Sequence, residues 1–228
     1  MNRHQSEQIE VFVEKLGQIP APPNAFNPWD VSTETGAVCR HNLKLYLHDL
    51  ANRHVSVLLL GEAPGYQGCR LTGLPFTSEH LLLTGVDELD ILGQSRGYRR
   101  APSDDRISKE PSGTIVWSTL AANRFLPLLW PAYPFHPHKP GTPRSNRPPT
   151  KAEIELGRPI WQELATIMRI GTFVAIGNVG HRSLAAAGIE AMKIRHPSQG
   201  GKPQFVAGIE ALAAQCNDLS RVQSGHQS

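Results

Sequence analysis

A three-layer α/β/α sandwich around a small, mostly parallel four-stranded sheet is the fold class that this sequence predicts. Three observations carry that expectation. Short apolar runs at 55–60 and 172–176 end abruptly in glycine, the pattern of buried parallel strands. Segments with helical spacing of apolar residues separate those runs. The chain has 228 residues, 39% hydrophobic and 19% charged, enough for one sizeable core in an ordinary globular domain.

The elements follow in order. A first helix over about 6–16 offers Ile9, Val11, Phe12, Val13 and Leu16 as its apolar face. Pro20 to Pro28 carries four prolines and two asparagines and is a loop. A second helix over about 37–52 places Leu43, Leu45, Tyr46, Leu47 and Leu50 near one side and feeds the 55–60 strand. Ser78 caps a short helix through Leu81–Leu83, with Glu79 at its positive end. Gly93 to Gly113 is polar and broken, a loop or an exposed insertion. Thr114–Trp117 suits either a strand or the start of a helix through Ala121, and Leu126–Trp130 a short strand.

Seven prolines then punctuate Pro131 to Pro149, forbidding a helix and favouring an extended path. An excursion that long is functional or disordered, and its aromatics and histidines favour function. Thr150 and Glu153 form a capping box for a helix through Trp161 and Met168. The 172–176 strand leads to Gly177 and a helix over Val179–Ala187, with Asn178 as its N-cap. Met192–Arg195 is the last strand, Pro203–Cys216 the last helix, and the tail after 220 is frayed.

Composition excludes several classes. No apolar run approaches the ~20 residues that a spanning helix needs, so no membrane partner is expected. The N-terminus lacks the apolar core of a signal peptide, which points to the cytoplasm. Cys39, Cys69 and Cys216 are scattered, so neither a disulfide framework nor a zinc or iron–sulfur site is expected. A net charge of +3 permits a nucleic-acid partner without requiring one.

The chemistry gathers at the glycine-hinged turns. Gly61-Glu62-Ala63-Pro64-Gly65 follows the first strand and parks a carboxylate where open α/β sheets bind ligands. Taken alone, Glu62 is either a catalytic group or a partner for Arg70, and Phe76 either a stacking platform or core. His136 and His138 straddle Pro137 like a metal pair, but no third ligand is near in sequence. Cys69 has no basic partner that would make it a nucleophile.

Gly61-Glu62-Ala63-Pro64-Gly65, then Gly73-Leu74-Pro75-Phe76-Thr77-Ser78, then His196-Pro197-Ser198 resemble, in order, the motifs of the uracil-DNA glycosylase superfamily. The spacing is closest to its iron–sulfur (family 4) branch, but the cluster cysteines are absent, so no cofactor is implied. The resemblance implies a monofunctional, monomeric enzyme of base-excision repair. It would flip deoxyuridine out of single- or double-stranded DNA and hydrolyse the N-glycosidic bond. Gly61, Ala63, Pro64 and Gly65 would face base and sugar, and Phe76 would stack on the base. Glu62 and His196 would be catalytic, His196 donating to the uracil oxygen as charge develops. Arg195, Ser198, Gln199, Gly200 and Lys202, with Lys193, would hold the DNA backbone and fill the vacated stack.

The sequence departs from that family at defined points. Ala63 stands where the best-known branch has a water-activating aspartate, and Gly65 where some members have a bulky aromatic. Pro131 stands where an asparagine reads the uracil edge in the family, leaving Asn123, His136, Asn146 or backbone groups to substitute. These losses motivate an alternative, a protein that binds uracil-containing or abasic DNA with weak or no turnover. A nucleotide-binding α/β enzyme is a third reading, but neither Gly-x-Gly-x-x-Gly nor a lysine-bearing phosphate loop is present.

Overall fold

The computed structural model describes residues 1–103 and 105–224, with side chains described to residue 216. Helix α1 (Arg3–Gln18) starts at an Asn2 cap, whose side chain accepts from the Gln5 N–H. Its buried stripe is Ile9, Phe12, Val13 and Leu16, while Val11 points to solvent. The 100° step per residue puts position 11 on the opposite side from 9, 13 and 16, which corrects its assignment to the apolar face. A two-residue strand β1 (Ala25–Phe26) precedes α2 (Glu34–Asn52), which the Thr33 side chain caps through the Gly36 N–H.

The main sheet is built from β2 (Val57–Gly61), β3 (Leu128–Pro131), β5 (Thr172–Ile176) and β6 (Met192–Ile194). Its order is β3-β2-β5-β6 and every pairing is parallel, as the fold class predicts. Leu58 pairs with Leu128 and Phe173, and Gly61 with Pro131, so the carboxyl ends of β2 and β3 finish level. Residues 57–61 and 128–131 are buried throughout, which explains their unbroken apolar sequence.

Between β2 and β3 lie α3 (Cys69–Thr72), α4 (Glu79–Thr84) and α5 (Pro111–Ala122). The ambiguous 114–117 stretch is therefore helical, and α5 begins with Pro111 at a position that suits it. Ser78 does precede α4, but its hydroxyl makes no cap and is buried without a partner. Glu79 is buried and engages Arg100 and the Ser108 N–H. It ties Arg100 and Ser108 of the 93–113 stretch to the core, so the described part of that stretch is a loop anchored to the domain, not an exposed insertion.

The Pro-rich stretch is ordered. Strand β4 (His136–Pro137) pairs antiparallel with β1, and Ala132, Tyr133, Phe135 and His136 are fully buried. The loop is clamped further on by Arg147, which donates to both Glu153 oxygens and to the carbonyls of Asn24 and His138. Glu153 also completes the capping box with Thr150 at the start of α6 (Lys151–Ile167). Helix α7 (Gly177–Ala186) packs over β2, β5 and β6, and α8 (Lys202–Ser224) packs on β6 and α5. The cap of α7 is Ile176, not Asn178, because the helix starts two residues earlier than its sequence suggests. Helix α8 continues to residue 224, and the remainder of the tail expected to fray lies outside the described residues. No helix among the described residues is long and apolar enough to cross a membrane.

Candidate active site

The carboxyl ends of all four parallel strands open into one cleft of about 480 Å³. Its wall takes Glu62, Ala63, Pro64 and Gly65 from the turn after β2 and Pro131 from the end of β3. Ile176, Gly177 and Asn178 follow β5, and Arg195, His196, Ser198 and Gln199 follow β6. A parallel sheet delivers this convergence, because every strand ends on the same side.

Phe76 enters from the loop between α3 and α4. Its φ of +54° lies in the left-handed region, which costs a non-glycine residue about 1 kcal/mol or more. Side-chain bonds anchor the chain on either side of it. Trp29 Nε1 donates to the Gly73 carbonyl, Asn42 to the Thr72 carbonyl, and Trp117 Nε1 to Thr77 Oγ1. The ring edge rests on Gly61 and its centroid lies 6.1 Å from that of His196.

His196 is held in one protonation state. Its Nδ1 lies 3.2 Å from the Ser198 backbone N, which can only donate, and 2.8 Å from Ser198 Oγ. Nδ1 therefore accepts, and the ring proton of the neutral imidazole sits on Nε2. No protein acceptor among the described residues takes that proton. Burial, aided by the Arg195 charge, lowers the imidazole pKa below its ordinary value and keeps the ring neutral at pH 7.

Two carboxyl groups face the cleft. Burial raises the pKa of Glu62, and Arg182 on α7 partly offsets the effect. The cation near Glu62 is thus Arg182, whereas Arg70 stacks its guanidinium on Phe26 at 4.9 Å. The second carboxyl, Glu110, was missed in the sequence because it falls in the polar 93–113 stretch. Its one local signal is the Glu-Pro step that opens α5. Burial alone pushes the Glu110 pKa up to about 7.

The remaining expected residues divide. Asn146 lines the cleft, its Oδ1 accepting from the Tyr66 N–H. Asn123 does not; it closes the end of α5, donating to the Thr119 carbonyl. His136 is not in the wall either, but stands behind it, with Nδ1 2.8 Å from the Pro64 carbonyl and Nε2 3.3 Å from that of Pro143. Both ring nitrogens face carbonyls, so His136 props the first turn instead of reading a base. Gly61, Gly200 and Lys202 also lie outside the lining; Gly61 serves as the seat of Phe76, and Lys202 is exposed at the start of α8. Cys69 reaches the cleft with its thiol pKa raised well above normal by burial, which makes it unreactive. No cluster of three His, Cys, Asp or Glu suited to a metal occurs among the described residues.

A family model, the Uracil DNA glycosylase superfamily, matches residues 48–212. No curated protein matches the chain. Among solved structures, the chain is similar to wild-type SMUG2 of Pedobacter heparinus, with 17% identity and a TM-score of 0.66. That likeness covers 94% of this chain and 98% of the other, and it supports the fold.

Proposed function

This chain belongs to the uracil DNA glycosylase superfamily, and on that premise we propose that it releases uracil from DNA in base-excision repair, as a cytoplasmic, single-domain monomer. The observation that carries the reading is the fixed tautomer of His196. Two donors on Nδ1 leave an N–H on Nε2, in a cleft shared with a partly bare aromatic ring.

Hydrolysis of the glycosidic bond needs three things from the protein. The base must be held outside the stack, and Phe76 offers it a flat apolar face. The electron pair of the C1′–N1 bond leaves with the uracil, whose O2 gains negative charge. A neutral imidazole N–H donates to that oxygen without a full proton transfer, in a cleft where water screens it less. Water must then attack C1′, its proton passing to a base. Glu62 is the carboxylate for that step; burial raises its pKa, which strengthens it as a proton acceptor, and Arg182 partly offsets the rise. The released uracil anion takes up a proton afterwards.

The DNA strand runs past Arg195, Ser198 and Gln199, with Gly200 and Lys202 beyond the cleft. Incubation with end-labelled DNA carrying one uracil, followed by alkali, tests the whole reading. Scission at the uracil supports the enzyme, with His196→Ala slower. Tight retention without scission supports the alternative of a DNA-binding relative.

A further inference from the structure

We propose that the side chain of Glu110 reads the imide edge of the flipped base, supplying a donor and an acceptor from one carboxylic acid group. This rests on the glycosylase reading above.

The geometry comes first. Glu110 lines the same cleft as Phe76, Pro131 and His196. Its carboxyl group is pressed against the turn that follows β2. A β-carbon on Gly68 would sit 2.3 Å from Oε2, one on Gly65 3.7 Å from Oε1, and one on Gly113 3.4 Å from Oε2. The bare backbone of Gly68 thus makes the room in which this group stands, while the other two distances are ordinary contacts. Glu110 occupies the N-cap position of α5 but makes no capping bond; the Thr114 hydroxyl bonds the Glu110 backbone carbonyl and leaves the carboxyl group to the cleft. The carboxyl oxygens are not sealed from the cleft, so a ligand can take the place of the solvent that reaches them.

The need comes second. The imide edge of uracil presents an N3–H donor beside a carbonyl acceptor, which a side-chain amide would match. Pro131 has no amide, Asn123 lies elsewhere and His136 is occupied by carbonyls. Asn146 already accepts from the Tyr66 N–H, which commits one lone pair of its oxygen and fixes the orientation of its amide. A protonated carboxyl group has an O–H donor and a C=O acceptor in one plane, the same complement as an amide.

The protonation state fits third. Burial raises the Glu110 pKa to about 7, so the acid form is well populated near neutrality. The titratable or charged groups sharing the cleft are Glu62, Cys69, Arg147, Arg195 and His196. Burial raises the Glu62 pKa as well, but Arg182 partly offsets that effect, whereas no cation offsets it at Glu110.

Single-turnover uracil release from single-stranded DNA between pH 5.5 and 8.5 tests the assignment, on wild type, Glu110→Gln and Glu110→Ala. The neutral amide of Gln keeps donor and acceptor. Glu110→Gln should therefore stay within about threefold of wild type and lose the decline in rate above pH 7, while Glu110→Ala falls about tenfold to a hundredfold. Gln as slow as Ala would overturn the proposal and make the ionised carboxylate a base. Ala as fast as wild type would overturn it outright. A wild-type chain without turnover would defeat the glycosylase reading separately, and binding then decides on Glu110. Wild type should bind a uracil oligonucleotide at least about fivefold more tightly than its N3-methyluracil counterpart, a preference that Glu110→Ala abolishes. An equal preference in both proteins would sink the assignment.

Discussion

The Phe76 ring lies directly on the α-carbon of Gly61: a β-carbon at Gly61 would come within 2.8 Å of Phe76 Cζ and 3.0 Å of Cε2. The glycine that ends β2 is therefore a seat for the aromatic as well as a hinge. Gly61→Ala should tilt the ring out of the cleft, because a ring tip yields more easily than a buried strand. The expected result is a KM for uracil-containing DNA raised about tenfold, with a stability loss near 1 kcal/mol. Unchanged KM in a folded Gly61→Ala variant would separate Phe76 from base binding.

His196 and Ser198 should be unequal partners. His196→Ala removes the donor to the leaving group and should slow excision by about 10²–10³-fold. Ser198→Ala leaves the backbone N–H on Nδ1, so the tautomer survives and the loss should be only about fivefold. Single-turnover rates on both variants check this, and comparable losses would mean that the hydroxyl has a separate role.

The pH dependence of activity should rise on the acid side through an apparent pKa below 6.5. The imidazole must be neutral to accept at Nδ1, and its pKa is lowered by burial and the Arg195 charge. Neutralising Arg195 to Gln should shift that acid limb upward. A limb that stays in place would assign it to another group.

Stability should carry the signature of Glu110. Its carboxyl pKa, about 7 in the folded chain, lies above the ordinary 4.5, so the folded state holds the proton more tightly. Its contribution is present in full below pH 4.5 and is lost as pH rises to about 7. Glu110→Gln does not ionise, so its Tm relative to wild type should climb between those values and level off above. A Tm difference independent of pH, by calorimetry at pH 5 and pH 8, would contradict this.

The Arg147 clamp should matter to the whole Pro-rich wall. Arg147→Ala strands the Glu153 carboxylate, which is 8% exposed, and frees the Asn24 and His138 carbonyls. A loss of about 2–3 kcal/mol is expected, roughly 5–10 °C in Tm. Thermal melts of Arg147→Ala beside Arg147→Lys check it, since lysine keeps the charge but not the fork.

Much of the fold was legible because β2 and β3, and the carboxyl half of β5, are buried on both faces. Residues 57–61 and 172–176 betray themselves as apolar runs stopped by glycine, and Thr150 with Glu153 announces α6. Local chemistry misleads where a distant partner decides. The proline-rich segment is free to be disordered until β1, 110 residues earlier, pairs with His136 and Pro137. Ser78 looks like a cap, yet its neighbour Glu79 is drawn instead to Arg100 and Ser108.

The same division runs through the site. Order and spacing along the chain determined the parallel sheet, the turn at 61–65, Phe76 and His196, because each is marked by a short motif at a strand end or its following loop. Tertiary structure alone decided which side chains share a cleft. It drew in Glu110 from a polar loop and Arg147 from the Pro-rich wall, and it sent Asn123 to cap its own helix. It also fixed the His196 tautomer and the Glu110 proton, since both depend on burial and on donors folded against them. A pKa belongs to an environment, and only the folded chain has one.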